Sequence, residues 1–419
     1  MNKLIASVGV IALSSSVLHA LETGALNAQQ SKKAWSVSAS LRGFYDDNFN
    51  SQASGNKQSS TGIDVAPSAH FGVAGEQSSL DVGYDFTARY YEKALNGRTD
   101  HSDFTHNFNV TATHAFDERF RVNGRESFVI GQEPDFLAGN QNVVNPQRIS
   151  GDNMRNYANV GASFQATSLL GFGVSYNNTI VNYADKGNFS NSARLDRMEQ
   201  GVNLSSQWTI SPQTVGQLGA RIGKTDFSRK NEFADTGVRA SSRDTTSLIL
   251  YGGADHEFND TLSGSLLVGG QRTKYPNNPN TDSKWSPWVE GSLQYEYQTQ
   301  TTLSGGFSYS RSASDLVAAA SATEFVRDTE VASIYGAVTH HLAEHLSGTG
   351  SIRYQRSKYN GGLYDGQKEA VLFLGLSLSY EFNPNLEGNI GYNFDDLSSD
   401  APGRNYKRNK FYVGVTAKY

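Results

Sequence analysis

The sequence contains no cysteine, so disulfides and thiolate metal sites are both excluded. Long apolar runs are missing as well. The one continuous run near the start, Leu4–Leu13, is about half of what a transmembrane helix needs. Charge of one sign is not in excess: 36 basic residues against 41 acidic ones leave a net −5. That balance excludes the polycationic surface of a nucleic-acid binder. The hydrophobic share is low, at 37%, and mean hydropathy is −0.50. A chain of 419 residues with that composition cannot easily fill a solid core. What is abundant is glycine (41), phenylalanine (22) and tyrosine (21), so the aromatic-poor signature of disorder does not apply. Such a chain can coat one face of a sheet with apolar groups and leave the other face wet.

The N-terminus reads as an export signal over residues 1–20. Lys3 supplies the positive region, Leu4–Leu13 the apolar region, and Ala20 a small residue for cleavage, with Ala28 a later alternative. Residues 21–33 then form a short periplasmic segment, too small for a plug domain, and 34–419 the folded body.

From Trp35 onward the apolar period is two. In "LDVGYDFTARYY" (80–91), Leu80, Val82, Tyr84, Phe86, Ala88 and Tyr90 form one face, while Asp81, Gly83, Asp85, Thr87, Arg89 and Tyr91 form the other. The pattern predicts eighteen strands: 34–47, 61–74, 80–92, 104–116, 120–132, 153–166, 170–183, 196–210, 214–227, 246–258, 261–274, 286–297, 302–311, 328–342, 346–357, 369–382, 386–395 and 408–419. Short and long connections alternate between them. The lengths suit tilted membrane-crossing strands better than those of a soluble sandwich. Aromatics flank the apolar band at both ends, as Phe116, Phe120, Trp208, Phe258, Tyr297, Phe382 and Tyr419 on the short-turn side, and Tyr45, Tyr90, Phe128, Tyr176, Tyr309, Tyr354, Phe394 and Phe411 on the other. The expected fold is therefore an all-β transmembrane antiparallel barrel of about eighteen strands in the outer membrane, with short turns periplasmic and long loops extracellular. The alternating last strand, through Phe411, Val413, Val415 and Tyr419, is expected to close the barrel against the first. Pro67 and Glu126 interrupt the scheme, through a bulge or a local error of register.

The inward phase is polar. Its candidate lumen charges are Arg42, Arg89, Arg121, Arg125, Arg155, Arg197, Arg221 and Arg353, with Asp81, Asp85, Glu290, Glu296, Glu381 and Glu387. These either brace the wall as ion pairs or select permeants by charge. Arg89, Arg121, Arg125 and Arg155 are expected to share one positive patch. Inward aromatics are Phe44, Tyr91, Tyr157, Tyr251, Trp288, Tyr335 and Phe373, suited to wall packing or to stacking on sugar rings. No cofactor or metal is expected: the carboxylates Asp46, Asp47, Asp395, Asp396 and Asp400 lack a calcium-loop spacing. His341 with Ser347 or Ser351 is the nearest approach to a nucleophile and base, without a motif, and no enzyme is expected.

Two stretches carry a family resemblance. "LRGFYDDNFN" (41–50) is similar to the first-strand motif of the bacterial beta-barrel porin family of the second type, and "GRNYKRNKFYVGVTAKY" (403–419) resembles its closing hairpin. The resemblance implies an outer-membrane channel, and for some members a link to exopolysaccharide export. The expected partners are outer-membrane lipid and the outer-membrane assembly machinery, with polysaccharide and a periplasmic export protein as further ones. The alternative is a structural or adhesive surface barrel with a blocked pore.

Overall fold

The computed structural model describes residues 34–94, 100–132, 153–228, 232, 237–278, 283–298, 301–316 and 325–419. The expected signal peptide, the segment 21–33 and the long connection 133–152 lie outside the described residues.

Eighteen strands are present among the described residues: β1 Trp35–Asp46, β2 Ser60–Ala74, β3 Ser78–Tyr91, β4 Ser102–Ala115, β5 Phe120–Gly131, β6 Asn153–Gln165, β7 Leu170–Tyr183, β8 Arg197–Ser211, β9 Thr214–Phe227, β10 Thr245–Asn259, β11 Leu262–Lys274, β12 Lys284–Gln298, β13 Thr301–Ser312, β14 Asp328–Ala343, β15 Leu346–Asn360, β16 Lys368–Asn383, β17 Leu386–Ser399 and β18 Tyr406–Lys418. Each pairs antiparallel with its sequence neighbours. β1 also pairs with β18, from Ser38↔Lys418 to Asp46↔Lys410, so the sheet closes on itself. A single helical turn, α1 Asn191–Leu195, and short 3₁₀ turns at Ala240–Arg243 and Gly362–Tyr364 lie in the long connections.

The two-residue period has a direct physical expression. In β1, Trp35, Val37, Leu41 and Tyr45 are exposed, while Ser36, Ser38, Ser40 and Arg42 between them are partly covered. The same alternation brings large apolar residues to the outside around the ring: Phe164, Leu204, Leu218, Leu250, Ile334 and Val413 are examples. A soluble protein could not present so much contiguous apolar surface. A barrel in lipid requires it. Both aromatic sets flank this belt. Phe116, Trp208, Phe258, Phe382 and Tyr419 are exposed near the short turns, and Tyr45, Tyr90, Tyr354 and Phe411 near the long loops.

Short turns are stabilised by side chains that take up free backbone donors. Asp117 Oδ1 accepts from Arg119 N and Phe120 N, each at 2.7 Å, and Asn259 Oδ1 accepts from Thr261 N and Leu262 N, each at 2.9 Å. Register shifts beside several of these turns, at Thr209/Ser211, Glu257/Asn259, Glu296/Gln298, His341/Ala343 and Glu381/Asn383, add the twist a hairpin needs there.

Neither interruption shifts the register. β2 keeps one register against β3 on both sides of Pro67, and pairing lapses only at Ala66 and Pro67, since proline cannot donate. Pro67 still faces Ala39 of β1 in an unbroken ladder. Glu126 stands opposite Val110 and Ala158 in continuous ladders, so it does face outward with Phe120 and Phe128. Asn156 on the next strand donates its amide to Glu126 Oε1, satisfying part of a carboxylate that water would otherwise solvate.

Candidate functional site

An eighteen-stranded barrel encloses an interior, and the candidate residues belong to the inward phase of its wall. The wall is graded along its length. Toward the short turns its residues are partly accessible: Asp81, Arg121 and Glu296 are exposed there. Toward the long loops they are covered: Asp46, Tyr91, Arg353, Tyr359 and Tyr406 are almost fully buried.

Each candidate lumen residue falls on the inner face. Arg89 makes a two-pronged ion pair with Asp64, at 2.7 and 3.1 Å, and lies over the Phe44 ring. Asp85 meets His70 at 3.3 Å. Arg197 pairs with Glu199 at 2.6 Å and Arg221 with Glu290 at 3.0 Å. Arg42 lies over Tyr412 at 5.2 Å, and the buried Arg353 over Tyr335 at 5.6 Å. Glu387 pairs with Lys418 across the closing strands, and Glu381 stands directly opposite Glu387 in the ladder. Apart from Glu381, which faces a like charge, these are braced side chains, and paired charges project little field into the interior.

The expected single positive patch is not formed. Arg89 sits near the extracellular end of β3 and Arg155 near that of β6. Arg121 and Arg125 both belong to β5, toward the short turns. The inward phase is common to all four, but phase carries no information about height. In the ladders Arg125 faces Thr111 and, beyond it, Asp81, whereas Arg155 lies along the row of Val129, Asn107 and Asp85.

The inward aromatics mostly pack. Tyr91 is held between Phe44 at 5.3 Å and Phe49 at 5.2 Å. Trp288 and Tyr251 are 5.4 Å apart, and the Arg221 guanidinium covers both, at 4.7 and 5.3 Å. Phe373 is buried with Val371, Leu397 and Tyr406. Tyr157 and Tyr335 are the partly accessible ones. His341 and Ser347 are ladder partners, but among the described residues no hydrogen bond joins them. No group of three or more metal-ligating side chains gathers among the described residues.

At the extracellular end the long connections interlock. Ala193 of α1, Phe227, Val238, Ala240 and Phe325 form one buried apolar cluster. Through it runs Arg243, which is fully buried, stacks on Phe227 at 4.1 Å, and donates to the carbonyls of Arg194 (2.8 Å) and Ser314. One side chain thus ties three connections together. Burial, with Arg197 and Arg194 nearby, pushes its pKa down to about 9. Arg404 is a second tie, bridging Asp315 at 2.8 Å and Glu369 at 2.7 Å. Burial alone would lower its pKa, but the two carboxylates outweigh that and hold it well above the usual value. Arg408 is a third, between Asp46 at 2.8 Å and Asp395 at 3.7 Å. Alternation alone reaches Arg408 and Lys410, which share the inward phase of β18. Arg243 and Arg404 lie in aperiodic connections, and no local signal marks them.

A family model described as "Putative beta-barrel porin 2" matches residues 36–419, nearly the whole chain. The chain belongs to that family. Membership and the exposed apolar belt together place this porin-family barrel in the outer membrane. Among solved structures it is similar to a BenF-like porin from Pseudomonas fluorescens Pf-5, at 8% identity and TM-score 0.47, covering 92% of this chain and 99% of that one. It is also similar to Pseudomonas aeruginosa OpdK with vanillate, at 11% identity and TM-score 0.45, covering 92% and 99%. The FrpB iron transporter of Neisseria meningitidis matches at 10% identity and TM-score 0.45, covering 94% and 82%. No curated protein matches the chain.

Proposed function

We propose that this barrel is a channel for polar, hydroxyl-rich solutes, with saccharides as the permeant class. The observation that carries the reading is the chemistry of the inner wall toward the periplasmic side. Hydroxyls and amides dominate there, and they bond laterally: Ser38 with Ser68 at 2.6 Å, Ser40 with Thr416 at 2.8 Å, Ser79 with Thr113 at 2.6 Å. Such a wall exchanges hydrogen bonds with a hydrated sugar at little cost, because each group already has a partner to return to. The inner surface is more accessible at the periplasmic end, which favours loading from inside, and export of saccharide chains with a periplasmic partner extends the same reading. A second reading, a surface barrel closed by its own loops, is favoured by the interlocked arginines Arg243 and Arg404. Liposome swelling separates the two. Vesicles loaded with purified protein should swell in isotonic neutral mono- and disaccharides, and planar bilayers should show steps. Absence of both, with insertion verified, would overturn the channel in favour of the closed barrel.

A further inference from the structure

The outer surface carries a basic cluster that the channel reading does not use. Arg356 and Lys358 of β15 and Lys368 of β16 are all exposed. They share the phase of Ile352 and Tyr354, which are 48% and 42% exposed in the lipid belt, so all three point away from the interior. Lys358 stands directly opposite Lys368 in the ladder, and Arg356, opposite Ala370, is two residues from Lys358 on the same strand and diagonal to Lys368. Like charges facing each other across a sheet oppose its formation unless an anion sits between them. The outward carboxylate Glu330 opposes Lys358 and attracts it, but its hydrogen bonds go to Arg311 at 2.9 Å and to the Tyr309 hydroxyl at 3.2 Å. Asp400 accepts the backbone N–H of Lys368. Among the described residues none of the three cationic head groups has an ion pair or a side-chain hydrogen bond. Among the described residues, other outward cations of this rim are occupied or alone. Lys224 pairs with Asp226 at 2.8 Å, Lys407 with Asp396 at 3.0 Å, Arg272 bonds Ser283, and Lys274 faces Thr246.

The position is as informative as the charge. Lys358 lies four residues beyond Tyr354, about 13 Å along the strand and about 10 Å along the membrane normal at the usual tilt. That is head-group level in the outer leaflet. Directly below, Tyr354 and Ile352 of β15 stand opposite Leu372 and Leu374 of β16, an unbroken apolar surface at the depth of the outer leaflet.

We propose that Arg356, Lys358 and Lys368 bind the phosphorylated sugar head group of an outer-leaflet glycolipid, whose acyl chains lie against Tyr354, Ile352, Leu372 and Leu374 below. Guanidinium and ammonium groups suit phosphate oxygens, and an apolar surface directly beneath suits acyl chains, which neither a free anion nor a soluble acidic protein possesses.

The test uses the full folded barrel in detergent and a triple variant, Arg356→Gln with Lys358→Gln and Lys368→Gln, read by native mass spectrometry against bisphosphorylated lipid A. Each near-surface cation contributes about 1 kcal/mol, so the triple variant should lose about a hundredfold in affinity. Removing the phosphates from the lipid should weaken binding to the parent similarly. A control variant, Lys224→Gln with Lys407→Gln, should bind like the parent. Heat-modifiable migration on gels shows that each variant is folded, and Lys358→Gln alone gives the intermediate affinity if the triple variant is not. Equal binding by parent and triple variant would overturn the proposal. So would competition by inorganic phosphate at the lipid's own concentration, which would mark a free-anion site.

Discussion

Replacing Arg243 by methionine tests whether the extracellular connections are locked by a single buried cation. Methionine preserves the packing on Phe227 and removes the charge and the donors. Several contributions compete. The drop in pKa from the ordinary guanidinium value to about 9 puts the cost of holding the cation there, neighbouring charges included, at about 5 kcal/mol. Against it stand two charge-assisted hydrogen bonds, to Arg194 O and Ser314 O, of about 1.5–3 kcal/mol each. The stacked ring adds about 2 kcal/mol in a site without water. The lock is therefore worth about 0–3 kcal/mol net, too little to decide whether the barrel folds. It is enough to decide whether three connections hold one arrangement. The variant should keep its heat-modifiable migration, show faster proteolysis in 184–195 and 228–244, and conduct more in planar bilayers. The parent should respond to pH with a definite sign. Above about pH 9, and below the higher pKa of a free guanidinium, the folded protein binds fewer protons at Arg243 than the unfolded chain, so this group makes the locked state more stable as pH rises above 9. Loop proteolysis should slow from pH 8.5 to 10.5 in the parent and not in the variant. Unchanged cleavage and conductance in Arg243→Met would refute the lock. Collapse of the whole barrel would show that Arg243 braces strands instead of connections.

Three further outcomes are expected. Deleting 411–419 removes most of β18 and leaves unpaired backbone groups in lipid at several kcal/mol each, so the chain should not reach the heat-modifiable state; insertion in outer-membrane fractions measures it. Glu126→Leu should raise resistance to heat and denaturant by about 1–2 kcal/mol, since a lipid-facing carboxylate with one amide partner is replaced by a residue suited to hydrocarbon; a destabilised variant would mean that Glu126 meets something other than lipid. In a cysteine-free background, Leu363→Cys should label on intact cells with an impermeant thiol reagent and Asn385→Cys should not, the reverse pattern inverting the orientation.

The strands were legible because burial on one side of a closed sheet is written in the chain at period two. Even β18, at the very end, obeys it from Phe411 to Tyr419. Pro67 and Glu126 looked like register faults because propensity and polarity argue against them locally. The ladders tolerate both, since tertiary pairing on the other side of β2 and an amide from Asn156 outweigh a local preference. For the inner wall, alternation indicates the face of a residue and nothing of its height. Four arginines that share a face therefore looked like one patch, although Arg89 and Arg121 lie toward opposite ends of the barrel. The extracellular cluster was invisible for another reason. Arg243 reaches Ser314, and Arg404 reaches Asp315, across long sequence separations in segments without periodicity.

The seam between β1 and β18 is fastened at each end by a different means. Toward the short turns, Val37 and Tyr419 exchange backbone hydrogen bonds at 3.1 and 2.9 Å, and the Trp35 and Tyr419 rings lie 5.5 Å apart. Toward the long loops, Arg408 holds Asp46, and Asn409 gives both its backbone and side-chain N–H groups to Asp47, at 2.6 and 2.8 Å. A zipper sewn at both ends does not part sideways. A hydrophobic cargo would need such a side exit to slip from the interior into the bilayer. With the seam held in this way, the wall offers no exit between β1 and β18, and a cargo of the proposed channel would have to travel end to end and remain compatible with water for the whole passage.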